Sequence, residues 1–240
     1  MAKGKKNRAT EPATQTDALV QALALSAFAY APTVLPEDYV KPTDPFGKEN
    51  YNIMKGLLKK RVKPSRYAHS VSVAKTAKLL AQAYDYDANK ARMAGLLHDW
   101  DKGLTDEHLR CRVHDYDLDI SEETLNDMPW VLHGMTGAAV LADEFPEFGT
   151  EVFDAISRHT LGAPGMGELD MIVFVADKIE PLHKAKAFRR LYKMIGVISL
   201  EQMFFEVQRE NYRYLVSKGR PLCYESTETW NWTVNHLVQQ

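Results

Sequence analysis

Residues 168–180 carry Leu169, Met171, Ile172, Val173, Phe174, Val175 and Ala176, apolar residues nearly all the way round a helix. A helix without a polar face is buried. The segment ends in Asp177, and Pro181 stops it. A carboxylate at the end of the most buried element needs a counter-charge or a cation, because an unpaired buried charge is costly. The plain alternatives are a salt bridge to Lys178 or a cap on a neighbouring helix. The rest of the chain offers helical partners and no alternating strand pattern or internal repeat, so the expected class is all-α.

Several stretches show helical spacing. Residues 50–62 place Ile53, Met54, Leu57 and Leu58 on one side. Pro64 suits a helix start, and His69, Val73, Ala77, Leu80 and Tyr84 follow at helical intervals, which puts His69 on a buried stripe. Residues 87–99 form the next helix and Thr105 caps a short one to about Val113. Residues 114–131 are polar, with a helical turn after Ser121. Further helices are expected over Met135–Phe145, Glu147–Thr160, 184–194, 199–218 and 225–238. The 199–218 helix carries Met203, Phe204, Val207, Tyr214 and Leu215. The loop 161–167 is rich in glycine and reads as a mobile pocket edge.

The N-terminal part is different. Residues 1–15 are basic and polar, residues 17–31 read as a helix between Asp17 and Pro32, and Pro32, Pro36, Pro42 and Pro45 make an extended linker. The division expected is an N-terminal extension over 1–48 and one main domain over 49–240. The polar stretch from Thr10 to Asp17 separates Lys3, Lys5, Lys6 and Arg8 from the apolar run Ala18–Ala31, which argues against a cleavable leader. That run is also short of the roughly 20 residues a membrane span needs. A net charge of −2 steers the molecule toward neither nucleic acid nor an anionic membrane. Two distant cysteines, Cys111 and Cys223, are no disulfide framework and fit the cytoplasm.

The chemistry gathers at Gly95-Leu96-Leu97-His98-Asp99. Neutral imidazole and carboxylate both suit a borderline divalent metal. Neighbouring helical residues point about 100° apart, so His98 and Asp99 share one ion only near a helix end. With His69 and Asp177 they suffice to hold one octahedral ion, water filling the open positions. A second ion would need His133 and His159, with Asp99 as a bridge. Such a metal lowers the pKa of a bound water, for attack on phosphorus, and polarises a phosphoryl oxygen. Lys102, just after the pair, is placed to stabilise charge on a transferred phosphate; the alternative is a solvated Lys. Lys59, Lys60, Arg61, Lys63 and Arg66 form either a phosphate funnel or a solvated face. Arg66, one turn before His69, is the member favoured for substrate contact. His108, Cys111 and His114 spread round a helix and make no zinc site. Walker A, dinucleotide and nucleophile-elbow motifs are absent.

The order His69, His98-Asp99, Asp177 resembles the HD-domain phosphohydrolase superfamily. Closer still, Arg66-Tyr67-Ala68-His69-Ser70-Val71, Gly95–Asp99 with Lys102, Leu132-His133-Gly134 with Gly137-Ala138, His159-Thr160 with Gly162, and Phe174–Pro181 resemble the YqeK-type symmetrical bis(5′-nucleosyl)-tetraphosphatases. The similarity spans roughly residues 50–235 and includes Asn231-Trp232. It implies an HD-domain helical bundle that hydrolyses diadenosine tetraphosphate to two ADP. His69, His98, Asp99 and Asp177 would bind an iron-like metal, one ion rather than two; Mn, Co, Ni and Zn suit the same donors. Asp99 and Lys102 are the expected catalytic residues, and Arg66, His133, His159 and Thr160 the substrate contacts. The partner expected is a dinucleoside polyphosphate or another nucleotide, with a homodimer open and no membrane or nucleic acid. The alternatives are an HD hydrolase of another phosphate ester and a nucleotide-binding regulator without turnover. The chain departs from the family at Leu182-His183, where Gly-Arg is common. His183, Lys184, Lys186, Arg189 and Arg190 are the candidates to replace that charge.

Overall fold

The computed structural model describes residues 33–35 and 39–237; the helix expected over 17–31 lies outside them. Among the described residues the secondary structure is entirely helical. The helices are α1 (Lys48–Arg61), α2 (Pro64–Ala83), α3 (Ala88–Leu97), α4 (Asp106–Asp115), α5 (Glu122–Asp127), α6 (His133–Glu144), α7 (Thr150–Arg158), α8 (Glu168–Ile179), α9 (Lys186–Tyr192), α10 (Leu200–Ser217) and α11 (Tyr224–His236).

The apolar run is the axis of the bundle. Every residue from Leu169 to Ala176 in α8 is buried, and α8 packs against α2, α3, α7, α9 and α10. Burying each large aliphatic or aromatic side chain contributes about 1.5–3 kcal/mol, so this one helix ties five neighbours to a common core. Its polar exception, Asp170, is paired with Arg158 at 2.7 Å and caps the backbone N–H of Gly167.

Helices α2 and α3 meet through small residues. A Cβ on Gly95 would lie 3.0 Å from the Cβ of Ala77 and 3.2 Å from the Cα of Ala74. The absence of that carbon lets the backbones close up and brings His98, just past α3, against α2. Asp87 caps α3 by accepting from the N–H groups of Asn89 and Lys90, and Thr105, Ser121 and Ser199 cap α4, α5 and α10 in the same way. A smaller core of Leu109, Val113 and Leu132 lies under α4 and the turn before α6.

Three local expectations are corrected. The helix expected over Glu147–Thr160 is broken: a 3₁₀ turn spans Pro146–Phe148, Gly149 takes a left-handed φ of 79°, and α7 starts only at Thr150. Tyr214, expected on the buried face of α10, is 48% exposed, because the buried face ends near Gln208. Arg61 belongs neither to a funnel nor to a solvated face. It is buried, its Nε donating to the Trp100 carbonyl at 3.0 Å and its Nη2 lying 3.1 Å from Asp101.

Candidate metal centre

The helix α3 ends at Leu97, one residue before the His-Asp pair. His98 keeps helical dihedrals, but the chain then tightens into turns in which Trp100 N–H donates to the Leu97 carbonyl and Lys102 N–H to the Asp99 carbonyl, and this lets two consecutive side chains turn to one point. Nε2 of His98 is 3.3 Å from Oδ2 of Asp99 and 3.5 Å from Oδ1 of Asp177. His69, on the first turns of α2, closes the ring: its Nε2 is 2.9 Å from Asp177 Oδ1 and 3.6 Å from Asp99 Oδ2. Donors each about 2.1 Å from a common ion lie roughly 3.0–3.4 Å apart, so the neighbouring pairs round this ring are spaced as donors that share a metal.

The donor atoms are also prepared as lone pairs. The Nδ1–H of His98 donates to the Gly95 carbonyl at 2.8 Å, which leaves Nε2 unprotonated in the neutral ring. That Nε2 is fully buried without a hydrogen-bond partner, a costly arrangement for a polar atom unless a cation takes it. His69 is set by a side chain instead: its Nδ1 faces Oε1 of Glu180 at 3.2 Å, and Glu180 is itself buried and accepts from the Leu182 N–H. Carboxylate-backed imidazoles are better ligands. Glu180 lies in the Phe174–Pro181 stretch and has no role legible from sequence; its place on the turn that ends α8, three residues after Asp177, is the available signal. For Glu180→Gln we expect metal affinity to fall about 10–100-fold with the fold intact, read by metal titration; unchanged affinity would remove Glu180 from the centre.

Without the ion, the carboxylates hold protons nearby. Burial opposes a charge on His98, but Asp99 and Asp177 overcome it and raise its pKa to about 10. Burial likewise opposes ionisation of Asp99 and Asp177, yet both carboxyls are held well below the ordinary range. His98 and His133 do this for Asp99, and Lys178 and His69 for Asp177. The centre is a hole that demands positive charge. Lys178 meets Asp177 Oδ2 at 2.5 Å, so the salt bridge weighed from sequence exists alongside the ring rather than instead of it.

The other expected residues converge on Asp99 as well. Arg66 Nη1 lies 2.8 Å from Asp99 Oδ2. His133 Nε2 lies 3.1 Å from Asp99 Oδ1 and 3.1 Å from His159 Nε2. Thr160 Oγ1 is 3.0 Å from His159 Nε2. Lys102 Nζ is 3.3 Å from His133 Nδ1; burial lowers its pKa, and Asp99 acts the other way. Gly134 makes room for this group, since a Cβ there would come within 2.9 Å of the His159 ring. Among the described residues the groupings able to hold a metal are His69, His98, Asp177 and His98, Asp99, His159. The His108, Cys111, His114 set is not one of them, and Cys111 is exposed.

Two clefts are lined by Lys178, the lysine paired with Asp177, and by Asn211. One, of about 420 Å³, also has Trp130, Thr160, Leu161, Arg220 and Leu222 on its walls. The other, of about 660 Å³, lies between the His183–Phe188 segment and α10.

A helical bundle presenting His, then His-Asp, then Asp to one buried point is the arrangement of an HD domain, and the HD domain family matches residues 66–182. Symmetrical bis(5′-nucleosyl)-tetraphosphatase of Staphylococcus aureus is 32% identical over 70% of this chain and 87% of its own. The Bacillus subtilis protein of the same name is 28% identical over 74% and 94%. A crystal structure of a predicted HD superfamily hydrolase involved in NAD metabolism from Clostridium acetobutylicum superposes with a TM-score of 0.70 at 30% identity, covering 77% of this chain and 97% of that one. The chain belongs to the HD-domain hydrolases and, within them, to the YqeK-type symmetrical bis(5′-nucleosyl)-tetraphosphatase family. No helix among the described residues is long and apolar enough to cross a membrane.

Proposed function

We propose that this chain cleaves diadenosine tetraphosphate at the central anhydride, adding one water and releasing two ADP. The observation that carries the reading is the four-donor ring with its buried, orphaned His98 Nε2, in a chain whose relatives are named for this reaction. His69, His98, Asp99 and Asp177 would hold one transition metal, iron first, with Mn, Co, Ni and Zn as chemical equivalents. When bound, it supplies Lewis acidity toward a phosphoryl oxygen and lowers the pKa of a coordinated water.

The chain's own residues bind and orient the phosphates. Arg66 is half-buried and carries a planar fork of donors suited to a phosphate oxygen. Lys102 brings a positive charge to the edge of the ring, next to His133, where charge builds on the departing diphosphate. Thr160 lines the 420 Å³ cleft with buried His159 behind it, and one nucleoside diphosphate half lies there with Trp130, 47% exposed, available to the base. Asp99 serves the ring through Oδ2 and fixes His133 through Oδ1.

The test is chromatography of the products made by metal-replete protein from diadenosine tetraphosphate. ADP as sole product is expected. AMP plus ATP would reject symmetrical cleavage, and no product from this substrate alongside turnover of another phosphate ester would move the protein to that ester. In the same assay Lys102→Ala should retain its metal and lose about 10²–10³-fold in turnover, the usual cost of removing one donor to developing charge. Unchanged kinetics would leave Lys102 as no more than a neighbour of His133.

A further inference from the structure

Symmetrical cleavage places the reacting anhydride at the middle of the substrate, so a nucleoside diphosphate extends to each side of the metal centre. One half is accounted for by the cleft at Trp130. The 660 Å³ cleft on the other side of Lys178 is of a size that holds a small ligand. Its walls carry Lys178, Lys184, Lys186 and Arg213 against one acid, Glu210, which already faces Arg213 at 3.0 Å. Lys184 and Lys186 are exposed. His183 Nδ1 accepts the Ala185 N–H at 3.4 Å, so in the neutral ring Nε2 keeps its proton as a donor. Tyr214, out of place for a core residue, is an exposed aromatic ring on this wall, as Trp130 is on the other. Each cleft thus pairs an exposed ring with cations, Lys178 among them in both.

We infer that the cleft between residues 183–188 and α10 is the second nucleoside diphosphate subsite, with Lys184 and Lys186 on the phosphates and Tyr214 under the base. The inference rests on the proposed diadenosine tetraphosphate hydrolysis and assigns the half of the substrate that the Trp130 cleft cannot hold.

The experiment uses the full metal-replete chain, with two readouts. Equilibrium dialysis should find two ADP per chain, falling to one in K184E/K186E. In steady state, Tyr214→Ala should raise the KM for diadenosine tetraphosphate about tenfold, the usual size of one base stacked on an aromatic ring. It should leave the KM for adenosine 5′-tetraphosphate, which has no second nucleoside, within twofold; all three side chains are exposed, so folding is not at stake. Two ADP, together with a KM effect confined to the dinucleotide, supports the subsite. Normal symmetrical turnover with one ADP bound, or with equal KM effects on both substrates, overturns the subsite and leaves the activity standing. No turnover of diadenosine tetraphosphate overturns the activity, and the subsite with it.

Discussion

Asp99→Ala should lose its metal and its turnover together. Asp99 is 1% exposed and is the hub of the centre: Oδ2 faces His69, His98 and Arg66, and Oδ1 faces His133 and His159. Removing it opens the ring between His69 and His98 and leaves Asp177 as the sole carboxylate among its donors. The Lewis acid contributes several kcal/mol to the transition state, so the loss in turnover should be about 10³-fold or more at 1.4 kcal/mol per decade. The helical circular dichroism should persist, because the core around α8 does not include Asp99. Elemental analysis and ADP release from one preparation check both halves of the expectation. Full activity in Asp99→Ala, or in the parallel His98→Ala, would sink the site assignment.

The largest effect on stability is expected two residues further on. Asp101 is fully buried between two guanidinium groups: Arg112 Nη1 contacts both carboxylate oxygens, at 2.7 and 2.6 Å, and Arg61 Nη2 one of them at 3.1 Å. Arg61 also stacks over Trp100, 4.8 Å from the ring centre. This triad locks the turn that follows α3 onto α1 and α4. Asp101→Ala would leave two buried cations facing each other, and breaking a buried ion cluster from one side costs about 3–5 kcal/mol. Set against a usual total of about 5–15 kcal/mol, such a variant is close to unfolding. Urea titration should show the midpoint falling by that free energy divided by the slope, with the slope unchanged. A loss under about 1 kcal/mol would mean that the triad is solvated and not a clamp.

What the sequence made legible followed from local pattern. The apolar run of α8 needs packing on every face, and five helices pack on it. The order His69, His98-Asp99, Asp177 could be read because each sits at a helix end or on a helical stripe, and helix ends are marked by Pro64, Thr105 and Pro181. What escaped depends on contacts between distant segments. Nothing in Lys59-Lys60-Arg61 marks the third cation as the one that turns inward; it does so because Asp101, forty residues on, is buried beneath it. Glu180 looked like a helix end, and its role exists only because α2 brings His69 alongside. Tyr214 keeps helical register with Met203 and Val207, yet α10 outruns the body it packs on, so register no longer means burial. Gly149 interrupts a pattern that periodicity alone would carry through.

Three histidines of the centre are oriented by the same local device. Nδ1 of His98, His133 and His159 each lies 2.7–2.9 Å from the carbonyl three residues earlier, on Gly95, Trp130 and Ile156. The backbone performs the orienting, and no single substitution deletes a carbonyl. His69 has no such carbonyl behind its Nδ1 and leans there on a replaceable side chain, Glu180. The centre therefore has a heritable asymmetry: three imidazoles whose setting survives drift in the surrounding sequence, and one whose basicity a single codon can retune. Position 180 is therefore the place where a side-chain change most directly retunes a donor of the centre.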